Sequence, residues 1–170
     1  NHNVARNAGI EVVSGDAVAF IDDDVRVDDD WRAGVEYALS RGADAVTGPT
    51  RRRLDRGLEA DSADEERVAG RRVTLLRSGN AVLSTATIQA ADGFDERLAA
   101  AGLRDLSHRL ATLQRRVSWQ DDVSVTAIAG TDGGLSYTEK YRALGYWLAK
   151  NYGPHPGAAS TLVSTAVRDA

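Results

Sequence analysis

One stretch limits the folds open to this chain more than any other. Ala17-Val18-Ala19-Phe20-Ile21 carries no charge and runs straight into Asp22-Asp23-Asp24. A short continuous apolar run bounded by polar residues reads as a strand buried on both faces, the kind a parallel sheet makes. Ionised carboxylates are excluded from such a strand by the cost of desolvating them, so the aspartates must emerge where it leaves the core. In open α/β sheets the carboxyl ends of the strands form the ligand-binding edge. Carboxylates placed there suit a hard divalent cation, Mg²⁺ or Mn²⁺, which in turn neutralises a phosphate-bearing ligand.

The rest of the chain alternates strands with helices. Val4 to Ile10 reads as a short helix ended by Gly9, and Gly15-Asp16 as a turn into the strand. Trp31, Val35 and Leu39 recur at i, i+4 and i+8, which predicts a helix over 31–41. Six of the nine residues from Asp22 to Asp30 are aspartate, and Asp28, Asp29 and Asp30 stand where carboxylates cap free N–H groups of that helix. Strands are expected at 43–46, 73–76, 81–83, 117–119 and 123–126. Helices are expected at 85–91, along the Leu103, Leu106, Leu110, Leu113 stripe, at 139–151, and in the small-residue segment after Gly153-Pro154-His155-Pro156-Gly157. Residues 51–72 mix charges of both signs with little periodicity and read as an exposed charged loop. No internal repeat or boundary divides the chain, so residues 1–170 are read as one α/β domain.

Composition excludes several roles. A net charge of −4 offers nucleic acid no attraction, and the absence of cysteine rules out disulfides and thiolate metal sites. No run approaches the eighteen or so apolar residues of a membrane span. The chain contains no methionine and opens on Asn1-His2-Asn3, as a processed or truncated product would. Of its 21 basic residues only Lys140 and Lys150 are lysine.

Three chemistries compete for Asp22-Asp23-Asp24. A calcium loop of the EF-hand type needs glycine at its sixth position and glutamate at its twelfth, where this chain has Val27 and Ala33. An aspartyl-phosphate phosphatase also sets alternate aspartates after an apolar strand, but Arg26 stands where that pattern has threonine or valine. The third is transfer from a nucleotide sugar, with a metal bridging the diphosphate and stabilising charge on the departing nucleotide. In an extended segment Asp22 and Asp24 point the same way and could share one ligand sphere.

Ala5-Arg6-Asn7-Ala8-Gly9, then 17–24, then Trp31 resembles the middle of an inverting family 2 glycosyltransferase of GT-A fold. Gly79-Asn80, Gly93-Phe94-Asp95-Glu96 and Asp105-Leu106-Ser107-His108-Arg109-Leu110 are similar to later blocks of that family, in the same order, so the likeness covers about residues 2–120. It implies a GT-A-like, mostly parallel sheet flanked by helices and N-terminally truncated, because the family's first strand, helix and second strand with its acidic uracil-binding loop have no counterpart before Asn1. The remaining sheet would then expose an apolar edge.

The resemblance also implies roles. Arg6 and Asn7 would line the nucleotide-diphosphate site, Asp22 and Asp23 would face the donor's ribose or sugar, and Asp24, with Asp22, would bind Mn²⁺ or Mg²⁺. Arg6 has its own rationale, since guanidinium suits phosphate oxygens; the plainer alternative is a helix-surface arginine. The family's general base is the aspartate of a Gly-Glu-Asp block, and the matching positions here are Ala101, Gly102 and Leu103, which cannot accept a proton. Asp105 is the nearest carboxylate, but on a helix it points about 160° away from Leu103. His108 reads as a helix-surface residue, His155 as a loop residue, Phe94 as core, and Asp95 and Glu96 as turn or cap residues.

The expected function is therefore metal-dependent, inverting transfer from a nucleotide-diphosphate sugar to a glycan or lipid-linked acceptor in cell-surface polysaccharide synthesis. The domain would be cytoplasmic, with peripheral membrane contact. The alternative is a degenerate or truncated relative that binds nucleotide or a partner without catalysis.

Overall fold

The computed structural model describes residues 1–54, 57–128 and 137–168. Its centre is a four-stranded sheet built from β1 (Ala17–Phe20), β3 (Ala45–Thr47), β8 (Ala81–Ser84) and β9 (Val117–Trp119), in the order β1-β8-β3-β9. β8 pairs antiparallel with both β1 and β3, and β3 pairs parallel with β9. Three of the four strands thus run one way, but two of the three pairings are antiparallel. β8 runs against them, so the sheet is mixed.

Helices cover both faces. On one, α3 (Thr85–Ala90) and α4 (Gly102–Thr112) bring Ile88, Leu103, Leu106 and Leu110 onto Val18, Ala45, Ala81 and Leu83. On the other, α2 (Trp31–Ser40) sets Val35 and Ala38 against Val46 and Val82. Successive residues of one strand point to opposite faces, so Ala81 and Leu83 belong to one core and Val82 to the other. Strands β3 and β8 are therefore buried on both sides.

β1 is not, contrary to the sequence expectation. Val18 is buried, Ala19 is exposed and Phe20 is only partly covered. Among the described strands β1 is a sheet edge, paired on one side only, and no side chain of α2 buries Ala19. A groove of about 660 Å³ runs between this edge and α1 (His2–Val12). α1 does not stop at Gly9; that glycine keeps a negative φ inside the helix, and the turn closes when Val13 N–H donates to the Ile10 carbonyl.

A second correction concerns 51–72, most of whose described residues are paired strand rather than loop. β4 (Thr50–Leu54) and β5 (Gly57–Ala60) form a hairpin that joins β2 (Val25–Val27) and β10 (Val125–Ala127) in the order β2-β10-β4-β5. β6 (Glu65–Val68) and β7 (Arg71–Thr74) form another, closed by Ala69 and Gly70 at φ 51° and 80°. Positive φ at both central residues is the turn that matches strand twist. Charged residues sit comfortably here because the ladder is made by backbone groups, while every second side chain can stay in water. Val68, turned inward, is 1% exposed and joins a third core with Trp147 and Leu148 of α5 (Tyr137–Tyr152) and Ala158 of α6 (Pro156–Arg168). Among the described residues no helix is long and apolar enough to cross a membrane.

Candidate functional site

The register of β1 against β8 decides what faces Asp22. Phe20 lies opposite Ala81, so the residues that follow β1 meet the turn Arg77–Asn80 that precedes β8. That turn is fixed from beneath by Asn80, which is fully buried. Trp31 Nε1 donates to its Oδ1 (2.9 Å), its Nδ2 donates to the Val123 carbonyl (2.7 Å), and its own carbonyl accepts from Thr47 Oγ1 (2.6 Å). The same Thr47 hydroxyl accepts from Arg77 N–H at 3.0 Å. Two residues singled out in the sequence, Trp31 and Asn80, thus act as one brace.

The brace carries Ser78 and Gly79 to the aspartate. Ser78 Oγ donates to Asp22 Oδ2 at 3.1 Å. Gly79 has φ +72°, and a Cβ built there would lie 2.9 Å from Asp22 Oδ2. Only glycine combines that backbone conformation with that approach. From the other side Arg6 Nη2 reaches to 3.9 Å from Asp22 Oδ1, and its guanidinium lies 5.3 Å from the centroid of Phe94, a core residue as expected. With Arg6 largely covered and Asp22 half-exposed, the pair contributes little to stability but fixes a cation beside the aspartates.

Asp23 is exposed, and Asp23 and Asp24 form a turn instead of prolonging the strand. The alternation that would aim Asp22 and Asp24 alike therefore does not apply. The Asp24 carbonyl accepts from Ile128 N–H at 2.8 Å, which ties this turn to the second sheet. Among the described residues no three His, Cys, Asp or Glu side chains gather closely enough to hold a metal ion by themselves.

Asn7 has a different place from the one expected. Its Oδ1 accepts from Phe94 N–H (2.8 Å) while its Nδ2 donates to the Phe94 carbonyl and to Glu96 Oε1 (2.9 Å each). Asn3, fully covered, donates to the carbonyls of Asp95 and Leu98. A Cβ at Gly93 would lie 2.9 Å from Asn7 Oδ1, and one at Gly102 would overlap the Asn3 amide. One face of α1 is thus stitched to residues 93–102 by asparagines, and Arg6 is what that stitching presents to Asp22. Asp95 is more than a turn residue: burial opposes its charge, but donors from Lys150, the Arg97 backbone and Tyr146 hold its carboxyl below the usual range.

Asp105 is not placed as a base. It is fully buried, with Oδ2 accepting from Arg109 Nε (2.9 Å) and Lys150 Nζ (3.1 Å) and Oδ1 from Asn151 Nδ2 (2.8 Å). A carboxylate held by three donors and closed to solvent clamps α4 to α5 and cannot reach an incoming hydroxyl.

His108 is also corrected: it is buried, not on the helix surface. It stacks on Trp147 at 4.3 Å, and its ring nitrogens meet Tyr152 Oη (2.6 Å) and Glu66 Oε2 (3.0 Å). Burial, reinforced by Arg104 and Arg71 against the opposing charge of Asp105, pushes its pKa down to about 4. The ring is therefore neutral at pH 7. A carboxylate only accepts, so the hydrogen-bond pattern assigns the proton to Nε2 and leaves Nδ1 to accept from Tyr152. Glu66 also binds Arg104, whose guanidinium lies 5.3 Å from the centroid of the Trp147 indole. His155 is a loop residue as expected, its Nδ1 accepting from Gly157 N–H.

The second aspartate cluster does not cap α2 with its side chains. Asp30, at the cap, has helical φ and ψ and makes no such bond. Asp28 instead accepts from Ser124 Oγ (2.6 Å) and Thr126 Oγ1 (2.8 Å), which couples it to β10.

A cavity of about 550 Å³ shares Arg6 with the groove along β1. Leu103, Arg104, Ser78, Lys140 and Trp147 are among its lining residues. Sequence reasoning missed Ser78, Arg104, Lys140 and Trp147, because nothing local to them reports that α4, α5 and the 77–80 turn converge.

With this geometry in hand, comparisons with known proteins define the class. The sequence model of glycosyl transferase family 2 matches residues 1–92, more than half of the chain. The chain belongs to that family. A search of curated proteins gives no match. Among solved structures, the crystal structure of S. aureus TarS superposes with a TM-score of 0.59 at 19% identity, over 87% of this chain and 27% of that one. The likeness establishes the GT-A-like α/β fold, and the chain spans about a quarter of the length of that structure.

Proposed function

We propose that this domain takes part in metal-dependent, inverting transfer of a sugar from a nucleotide-diphosphate sugar to a glycan or lipid-linked acceptor. The observation that supports this most is the meeting of Asp22, Ser78-Gly79 and Arg6 at the carboxyl end of β1. An acidic turn beside a fixed guanidinium is suited to a diphosphate that arrives with a cation. Arg6 would bind phosphate oxygens, and exposed Asp23 would face the ribose or sugar. Asn7 acts one step back, by holding the 93–96 loop on which Arg6 rests.

Asp24 and Asp22 would hold Mn²⁺ or Mg²⁺. The donor set is all oxygen, as a hard cation requires, and Gly79 adds no Cβ of its own against Asp22 Oδ2. Phosphate and water oxygens would complete the coordination. When bound, such an ion neutralises charge on the departing nucleoside diphosphate. In the reaction an acceptor hydroxyl forms a bond to the sugar's anomeric carbon as the carbon–oxygen bond to phosphate breaks, inverting that centre. The hydroxyl proton needs a base, and the described lining of the Leu103 cavity contains no carboxylate or imidazole.

That last point favours a second reading, a relative that binds nucleotide without turnover. Titration of UDP, GDP and dTDP with and without Mn²⁺, followed by release of nucleotide from the corresponding sugars, separates the two. Metal-dependent binding and turnover, both abolished by Asp24→Asn, support the transferase; binding with no turnover supports the non-catalytic relative. Absence of binding to every nucleotide would sink both. Under the first reading we place the reaction in cell-surface polysaccharide or glycolipid synthesis, on the cytoplasmic side of a membrane that the domain touches peripherally.

A further inference from the structure

The cavity beside Leu103 differs in character from the acidic turn next to it. Its described lining includes three cations, Arg6, Arg104 and Lys140, and no aspartate or glutamate. Its walls are otherwise largely apolar, among them Leu76, Leu103 and Leu144. Arg6 and Ser78 connect it to the Asp22 site, since Arg6 lies near that carboxylate and Ser78 donates to it. The cavity therefore adjoins the proposed donor site.

One of its cations is held by a buried relay. His108, neutral and closed to solvent, donates to Glu66, and Glu66 binds Arg104 with its other oxygen. The Trp147 indole lies under the Arg104 guanidinium and stacks on the His108 ring. Arg104 is thus positioned rather than left to sweep through solvent. A guanidinium carries five N–H donors and an ammonium three, so each can serve a further oxygen in addition to the partners it holds.

We propose that this cavity seats an oxyanion of the acceptor, a phosphate or carboxylate carried on an apolar body. This rests on the transferase reading for the word acceptor, but the cavity's chemistry can be tested without it. Charge-assisted bonds from guanidinium and ammonium select oxyanions over neutral hydroxyls, and the leucine walls select an alkyl or lipid portion over a hydrated one.

The test is calorimetric titration of the protein with octyl phosphate, octanoate, glycerol 1-phosphate and octyl glucoside, each repeated after saturation with UDP and Mn²⁺. The two octyl anions should bind about tenfold or more tighter than octyl glucoside, and added salt should weaken them. Lys140→Glu should remove about tenfold of that affinity and leave UDP binding intact. Lys140→Gln, a milder change, should do the same to a smaller degree if the reversed charge disturbs folding. Much weaker binding of glycerol 1-phosphate than of octyl phosphate is expected from the leucine walls; equal binding of the two would overturn the apolar body. Octyl glucoside binding as tightly as octyl phosphate, or Lys140 variants that fold and keep full phosphate affinity, would overturn the proposal. Loss of UDP binding with octyl phosphate binding retained would count against the donor site alone.

Discussion

His108 should make the stability of this protein depend on pH in a way that can be calculated. In the unfolded chain an imidazole titrates near 6.5, whereas in the fold burial holds it at about 4. Between those values the unfolded state binds the proton and the native state does not, so stability falls as pH is lowered through this window and levels off below it. Above pH 6.5 both states are neutral and the histidine adds no slope. Linkage over the interval from pH 7.5 to 5 gives a loss of about 2 kcal/mol, and the full shift corresponds to about 3 kcal/mol. Carboxylates also titrate at the acid end, so the informative quantity is a difference of differences.

Urea unfolding of the parent and of His108→Gln at pH 7.5 and pH 5 supplies it. The variant is expected to be less stable at pH 7.5, having lost the Trp147 stack and the Glu66 and Tyr152 bonds. It should also lose about 2 kcal/mol less than the parent on acidification. Parallel pH dependences in the two proteins would refute the reasoning, because they would mean that His108 takes up its proton without opening the α4–α5–β6 packing.

Two further outcomes follow from the site. Gly79→Ala forces a Cβ to 2.9 Å from Asp22 Oδ2 at φ +72°, and should cost about 1–2 kcal/mol by thermal melting while weakening UDP–Mn²⁺ binding; unchanged binding would mean the turn does not shape the donor site. Asp105→Asn leaves Lys150 and Arg109 facing a neutral amide in a buried place, and should cost about 3 kcal/mol without changing nucleotide affinity. A stable Asp105→Asn protein that has lost only turnover would restore Asp105 as the base.

Legible in the sequence was whatever depends on neighbours along the chain. The apolar run ending at Asp22 set a strand and its exit, the Trp31-Val35-Leu39 spacing set α2, and the Leu103-Leu106-Leu110 stripe set the buried face of α4. Each follows from a period that the backbone imposes on its own side chains. The hairpins within 51–74 were obscured because ladder bonds are made by backbone atoms, so a charged strand can look like a charged loop.

The roles of single polar residues were decided elsewhere. Asn7 and Asn3 serve the loop at 93–102, Asp28 serves β10, Asp105 serves α5, and His108 is enclosed by helices and a hairpin up to 44 residues away in sequence. A polar side chain becomes an anchor or a ligand according to which partner reaches it first, and for these residues the partner comes from a distant element. The fold class and the acidic edge follow from periods along the chain, whereas packing brings Arg6, Ser78 and Gly79 to that edge and encloses Asp105 away from it, because burial and distant hydrogen-bond partners exist only once the chain is packed.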